Sequence, residues 1–159
     1  MGESETPARG VAARRVNRGD AEAWLRMRVA LWPEGPEEEH REEIARYFAG
    51  EAEGRPAEVL MAETDSGRVA GFAELSIRPY AEGCRGTRVA YLEGWYVEPE
   101  LRCRGIGRAL VAASEVWARS QGCEEFASDA QPDNEASIAA HRAAGFTDAG
   151  LVRCFRKDL

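Results

Sequence analysis

Arg102, Gly105 and Gly107 follow one another as R-x-x-G-x-G, between an apolar run that ends at Val97 and a helical pattern that opens at Ile106. A loop of this kind aims main-chain N–H groups at the mouth of a helix. There the amides and the helix dipole hold anionic oxygens, most commonly those of phosphate. Glycine, lacking a Cβ, lets a ligand come up to the main chain. Spacing rules out two better-known phosphate loops. No Lys-Ser or Lys-Thr pair follows the glycines, as a Walker loop requires, and Leu110 stands where a dinucleotide fingerprint has its third glycine. Cys103, Arg104, Ile106 and Arg108 complete the candidate anion site.

The elements that must position this loop can be read along the chain. Asp20 caps a helix carrying Trp24, Leu25, Met27, Leu31 and Trp32, which Pro33 ends. Pro36 opens a second helix through Ile44, Tyr47 and Phe48, and the run Glu37-Glu38-Glu39 suits the positive end of its dipole. Val59 to Glu63 and Arg68 to Ile77 form a hairpin across Thr64-Asp65-Ser66-Gly67. Residues 78–87, with Pro79, Gly83 and Gly86, form a loop. A strand from Val89 to Val97 leads into the anion loop, and a helix from Ile106 to about Gln121 stops at Gly122. A short strand from Glu125 to Ser128, a helix started by Asp133 or Asn134 and closed by Gly145, and a last strand from Leu151 to Lys157 follow. Residues 1–14 are polar, small and aperiodic and read as a disordered tail, which leaves 15–159 as one domain. This order predicts an α/β (α+β) fold with a mixed sheet covered by helices and no internal repeat.

Composition narrows the function classes. The chain has 159 residues, 44% of them hydrophobic and 31% charged, as in a globular protein able to bury its own core. No apolar stretch is long enough to cross a membrane, and the start has no signal-peptide core, so a cytoplasmic protein is expected. Cys84, Cys103, Cys123 and Cys154 form no C-x-x-C pair; no metal site is expected, and reduced thiols suit the same compartment. With 28 acidic and 21 basic residues the net charge is −7, which disfavours nucleic acid as a partner and leans towards cationic small molecules.

A second motif follows the first. Asn134 precedes His141 by seven residues, two helical turns or about 10 Å along one face, and the pair Gly145-Phe146 closes the segment. With the R-x-x-G-x-G loop after a strand, this resembles the GNAT superfamily of N-acetyltransferases, whose second signature has an Asn, a Tyr seven positions on, and a Gly-Phe pair. Here His141 stands in place of the Tyr. The resemblance implies a mixed, mostly antiparallel sheet whose two central strands splay apart, and acetyl-CoA as co-substrate. Its pyrophosphate would lie on Arg102, Cys103, Arg104, Gly105, Ile106, Gly107 and Arg108, and its extended arm along Trp95, Tyr96, Val97 and Asn134.

From about Arg15 onward the pieces Trp24-Leu25-Arg26-Met27-Arg28, Leu31-Trp32-Pro33, Leu92-Glu93-Gly94, Ser128-Asp129 and Pro132-Asp133-Asn134 are similar to the aminoglycoside 6′-N-acetyltransferases, specifically their compact dimeric subgroup. Carried over position by position, the resemblance implies that Trp32, Tyr80, Glu93 and Asp129 hold the aminoglycoside and that the protein is a homodimer. A further pocket acid has no clear match; Gly150 lies near its place and Asp148 is the substitute. Glu93 or Asp129 would take the proton from the attacking amine, directly or through a water. A main-chain N–H near Trp95 would face the developing oxyanion, and a protonated His141 would be available to the departing thiolate. Other readings remain at this point: a relative acting on a protein N-terminus, a polyamine or an amino-sugar, or a non-catalytic acyl-CoA-binding module.

Overall fold

The computed structural model describes residues 10–51 and 56–159. Five strands, β1 (Val11–Arg15), β2 (Glu58–Thr64), β3 (Val69–Arg78), β4 (Val89–Val97) and β5 (Phe126–Ser128), lie in the order β1-β2-β3-β4-β5. The first four are antiparallel neighbours, and β5 runs parallel to β4. Helices α1 (Ala21–Leu31) and α2 (Glu37–Ala49) cover one face; α3 (Ile106–Ser120) covers the other, and α4 (Glu135–Ala143) follows β5.

Alternation along the strands creates both cores. Val59, Met61, Phe72 and Tyr96 point towards Trp24, Leu25, Met27 and Ile44 of the α1–α2 layer. Leu60, Ala62, Ala73, Leu75, Ala90 and Leu92 point the other way, onto Ile106, Leu110, Val111, Trp117 and Ala118 of α3. The β2–β3 turn closes as its residues predict: Gly67, at φ +78, donates its N–H to the Thr64 carbonyl at 2.8 Å. Asp20 is buried and joins β1 to α1. Its carboxylate takes two bonds from Arg14, at 2.8 and 2.9 Å, and one from the Asn17 N–H at 2.8 Å. The Arg14 guanidinium holds that carboxyl below its ordinary range. Asp20 stands before α1 as expected, but its side chain makes no capping bond to α1.

Two expectations are corrected. Val11–Arg15 pair with Leu60–Thr64, so the end of the expected tail, through Arg14, is a strand; residues 1–9 lie outside the described residues. The expected last strand over Leu151–Lys157 is not formed: the chain after α4 has neither helix nor strand, and Leu151, Val152 and Phe155 are exposed. Strand-forming residues alone make no strand without an edge to pair with.

The β4–β5 ladder is short. It runs from Ala90 with Phe126 to Leu92 with Ser128, after which β4 continues to Val97 with no partner on that side among the described residues. That parting is the splay expected of the central strands. On its other side β4 carries a bulge. Leu92 pairs with Leu75 and Gly94 with Glu74, which leaves Glu93 as the extra residue. A bulge re-aims side chains, and here it turns Glu93 and Gly94 both towards the α1 layer, where Glu93 meets Ser76 and Arg78 and Gly94 meets Trp32.

Candidate active site

The anion loop leaves β4 through a 3₁₀ turn at Pro99–Leu101. Arg102 folds back, its Nε donating to the Val97 carbonyl at 2.9 Å. Cys103 at φ 59 and Gly105 at φ 79 are both left-handed, and Gly105 is the residue before α3. Glycine takes that conformation without strain, and Cys103 does so at some energetic expense. No side chain caps α3 and no acid occupies its first turn, so the first-turn N–H groups are offered to an outside anion. Arg102, Arg104 and Arg108 are exposed around the loop; Arg108 also reaches α4, donating to the Ala143 carbonyl at 3.1 Å.

Above the loop, Trp95 lies against Gly107. A Cβ added at Gly107 would come within 2.9 Å of the indole ring, so only glycine fits there. The Trp95 Nε1–H is buried and has no acceptor among the described residues. Tyr96 buries its ring in the α1 core against Phe72, so only its main chain faces the splay, and Val97 pairs with Gly71 of β3.

His141 and Asn134 sit on and before α4. Asn134 is its N-cap, the side-chain oxygen accepting from the Ser137 N–H at 3.0 Å. His141 donates from Nδ1 to the Ser137 carbonyl at 2.7 Å, while Nε2 faces the Ser128 hydroxyl at 2.8 Å. Its ring meets Trp95 edge-on at 5.2 Å and Phe146 at 5.4 Å. Thus His141 belongs with Trp95 on the α3 side of the splay. Among its described contacts are neither Glu93 nor Asp129.

The carboxylates lie across the sheet from it. Glu93 and Asp129 each stand one residue beyond the last positions paired between β4 and β5, Leu92 and Ser128, where the two strands part. Alternation gives Ser76, Arg78 and Tyr91 to the same face. Glu93 accepts from the Ser76 hydroxyl and takes Arg78 in a two-pronged pair, Nε at 2.9 Å and Nη2 at 2.6 Å. The Arg78 guanidinium lies 3.5 Å from the centre of the Tyr91 ring. The Tyr91 hydroxyl feels the Asp129 charge, and burial, with that charge behind it, pushes this phenol up to about 12. Asp129 itself is exposed.

Trp32, the residue after α1, forms a wall on this side. It stacks at 6.3 Å with His40, which is bonded at 3.2 Å to the Trp32 carbonyl, and Arg28 lies 5.2 Å from its ring. Its ring closes over Gly94. Beneath it, Glu74 accepts from the Trp24 indole at 2.8 Å and faces Arg28 at 3.3 Å; burial pushes this carboxyl up to about 7 despite Arg28 and the Trp24 bond. Tyr80 is exposed on the β3–β4 loop. Glu125 anchors that loop, accepting the main-chain N–H of Arg85 at 2.9 Å and of Gly86 at 2.7 Å, bonds that lower its pKa. Asp148, by contrast, is in a surface pair with Arg142 at 2.6 Å.

Sequence reasoning missed Arg78, Ser76, Tyr91 and Gly94. Arg78 and Ser76 are two residues apart at the end of a strand, a signal that becomes legible only once β3 is registered against β4. Among the described residues no cluster of side chains is arranged to hold a metal ion, and no helix is long and apolar enough to cross a membrane.

Residues 23–146 match the model of a family described as "Acetyltransferase (GNAT) family". The chain is 56% identical over 146 residues to an aminoglycoside N(6')-acetyltransferase type 1 of Klebsiella aerogenes, covering 92% of this chain and 95% of that protein. Its fold is similar to that of the aminoglycoside N-acetyltransferase AAC(6')-Iy in complex with CoA, with a TM-score of 0.84 and 35% identity over 94% of this chain and 95% of that one. The structure of AAC(6')-Iy with the bisubstrate analog CoA-S-monomethyl-acetylneamine gives the same TM-score and identity, covering 94% and 99%.

Proposed function

The chain belongs to the acetyltransferase (GNAT) family, and from that premise we propose that it is an aminoglycoside 6′-N-acetyltransferase, which moves an acetyl group from acetyl-CoA to the 6′-amine of these antibiotics. Such a reaction removes a positive charge from the drug and is a chemistry of antibiotic resistance. The observation that carries the reading is Glu93 beside Asp129 at the point where β4 and β5 part, with an open anion loop at the far end of β4. A module that only bound the cofactor would have no use for paired acids there. Aminoglycosides are polycations, and ammonium groups make their strongest hydrogen bonds to carboxylates in partly desolvated clefts.

The residues present suit acetyl-CoA. The uncapped start of α3, the left-handed Cys103 and Gly105 and the basic rim of Arg102, Arg104 and Arg108 suit its pyrophosphate. The main chain of Trp95, Tyr96 and Val97, unpaired towards β5 among the described residues, and the orphaned Trp95 indole N–H suit its amide-bearing arm, with Asn134 at the start of α4 as a further contact. When bound, acetyl-CoA supplies a thioester whose carbonyl carbon the neutral amine attacks; the C–N bond forms as the C–S bond breaks.

The chain's own part is to bind, orient and move one proton. Trp32, Tyr80, Glu93 and Asp129 hold the aminoglycoside. Because both Glu93 oxygens are already engaged while Asp129 is exposed, Asp129 is the better placed to receive the ammonium proton, directly or through a water. A main-chain N–H at the β4 bulge near Trp95 stabilises negative charge on the acetyl oxygen. His141, held by Ser128 and Ser137, orders the thioester side and is the candidate proton donor to the thiolate. We further propose one acetyltransferase domain from β1 onward, working as a cytoplasmic homodimer. The exposed Leu151, Val152 and Phe155 support a second copy as their cover, and four free cysteines suit a reducing compartment.

The test is kcat/KM for kanamycin with wild type, Glu93→Gln and Asp129→Asn at fixed ionic strength, alongside calorimetric acetyl-CoA affinity. Both variants should lose roughly 30-fold or more in kcat/KM, equivalent to the ~2–5 kcal/mol of a desolvated charge contact, with acetyl-CoA binding unchanged. Near-wild-type values for both would refute the pocket.

A further inference from the structure

The acceptor pocket proposed above already contains a cation, and it belongs to the protein. Arg78 binds Glu93 through two nitrogens, lies over the Tyr91 ring, and interacts electrostatically with Asp129. We infer that Arg78 is an internal counter-ion standing where the acceptor's ammonium group binds, and that the incoming aminoglycoside takes Glu93 over from it. This rests on the reading of Glu93 and Asp129 as the acceptor site, and goes beyond it by assigning a role to a residue that is neither acid, base nor cofactor ligand.

Three features of the geometry point to displacement rather than to permanent scaffolding. First, Glu93 is already heavily engaged: Oε1 takes Ser76 and the Arg78 Nε, Oε2 takes the Arg78 Nη2. An ammonium group that is to make the dominant charge-assisted bond to Glu93 competes with the guanidinium for those oxygens. Second, the guanidinium sits at the end of β3 with its side chain 25% exposed, against 18% for Glu93, so it has solvent to retreat into. Third, the Tyr91 face gives it a resting place that does not depend on Glu93.

The device has a physical reason. Two carboxylates on adjacent strands repel, and a cation beside them offsets that repulsion. Arg78 supplies that charge in the free enzyme and keeps Glu93 aimed. Exchange then swaps one cation for another, so the pocket is never left with two uncompensated charges.

The experiment is calorimetry of kanamycin binding to enzyme saturated with CoA, which binds without turnover, for wild type, Arg78→Gln, Arg78→Lys, Glu93→Gln and the double variant Arg78→Gln/Glu93→Gln. Arg78→Gln should bind kanamycin roughly five- to tenfold more tightly, the range expected for releasing a partly exposed ion pair and its charge. Arg78→Lys, which keeps the charge and loses the fork, should tighten binding by a smaller factor. In the Glu93→Gln background the Arg78→Gln effect should shrink to within about twofold, because the competition acts through Glu93. A purely structural role would not produce that coupling. Weaker or unchanged kanamycin binding in Arg78→Gln, with wild type binding and Glu93→Gln weakening it, overturns the counter-ion role alone. Should Arg78→Gln fail to fold by circular dichroism, weaker binding by Arg78→Lys overturns it equally. If wild type does not bind kanamycin at all, the acceptor reading fails first, and this inference with it.

Discussion

Replacing Gly94 by alanine adds one methyl group at the wall of the proposed acceptor pocket. The added Cβ would lie 2.5 Å from Trp32 Cη2 and 2.9 Å from Cζ2, with Leu31 Cδ2 at 3.4 Å. Carbon atoms rest at about 3.5–4.0 Å, so the indole must retreat by about 1 Å. It cannot retreat freely, since His40 stacks on it, Arg28 lies over it and Phe72 meets its edge at 6.3 Å. Overpacking of this kind costs about 1–3 kcal/mol, and a 1 Å displacement of a positioning group can cost about 10²-fold in rate. We expect Gly94→Ala to lower kcat/KM for kanamycin by roughly 10- to 100-fold while leaving acetyl-CoA affinity within about twofold, since the methyl faces α1 and not the anion loop. The assay is steady-state thiol release with each substrate varied, with calorimetric acetyl-CoA binding and a melting curve as controls. Unchanged kanamycin kinetics in a folded variant would refute the argument that Trp32, seated on Gly94, shapes the pocket.

Three further outcomes are expected. Gly105→Val should weaken acetyl-CoA binding measured by calorimetry, because a β-branched side chain at φ 79 strains the loop and blocks its main chain; unchanged affinity in a folded variant would contradict the anion loop. His141→Ala should slow turnover by less than about 10²-fold, the lower bound for a true general acid, since the ring's two nitrogens already serve Ser128 and Ser137; a larger loss would make it an essential acid. Glu74 binds its proton more tightly in the folded chain than in the unfolded one, about 7 against 4.5, so its contribution to stability is full below 4.5 and is lost as pH rises through 7. The melting temperature of wild type relative to Glu74→Gln should therefore fall between pH 4 and pH 8, by the equivalent of up to about 3 kcal/mol; parallel curves would contradict it.

Local signals carried much of the architecture. Asp20, Pro33, Pro36, Gly122 and Asn134 mark helix ends within a residue or two of where they fall, and Thr64–Gly67 closes the hairpin as its residues predict. The anion loop was legible because left-handed backbone before a helix has a residue signature, and glycine supplies it at 105. Strand β1 was not legible: Arg14 and Arg15 break its apolar run, and what makes it a strand is a ladder to residues 60–64, far along the chain. The same non-local dependence misled at Leu151–Lys157, where the composition suits a strand that has no edge to join within the described chain. In the pocket, Glu93 and Asp129 could be named in advance, but their surroundings could not. A single bulge reverses the alternation after Leu92, so strict period-two reading sends Gly94 and Trp95 to the wrong faces and hides the contact with Trp32.

The central claim is acetyl transfer to one particular amine. Wild-type protein incubated with acetyl-CoA and kanamycin should release one thiol per drug molecule, and nuclear magnetic resonance of the product should place the acetyl group on the 6′-nitrogen. An analogue bearing a hydroxyl in place of that amine should bind and release no thiol. Thiol release without a 6′-N-acetyl product, or none with any aminoglycoside, would contradict the account.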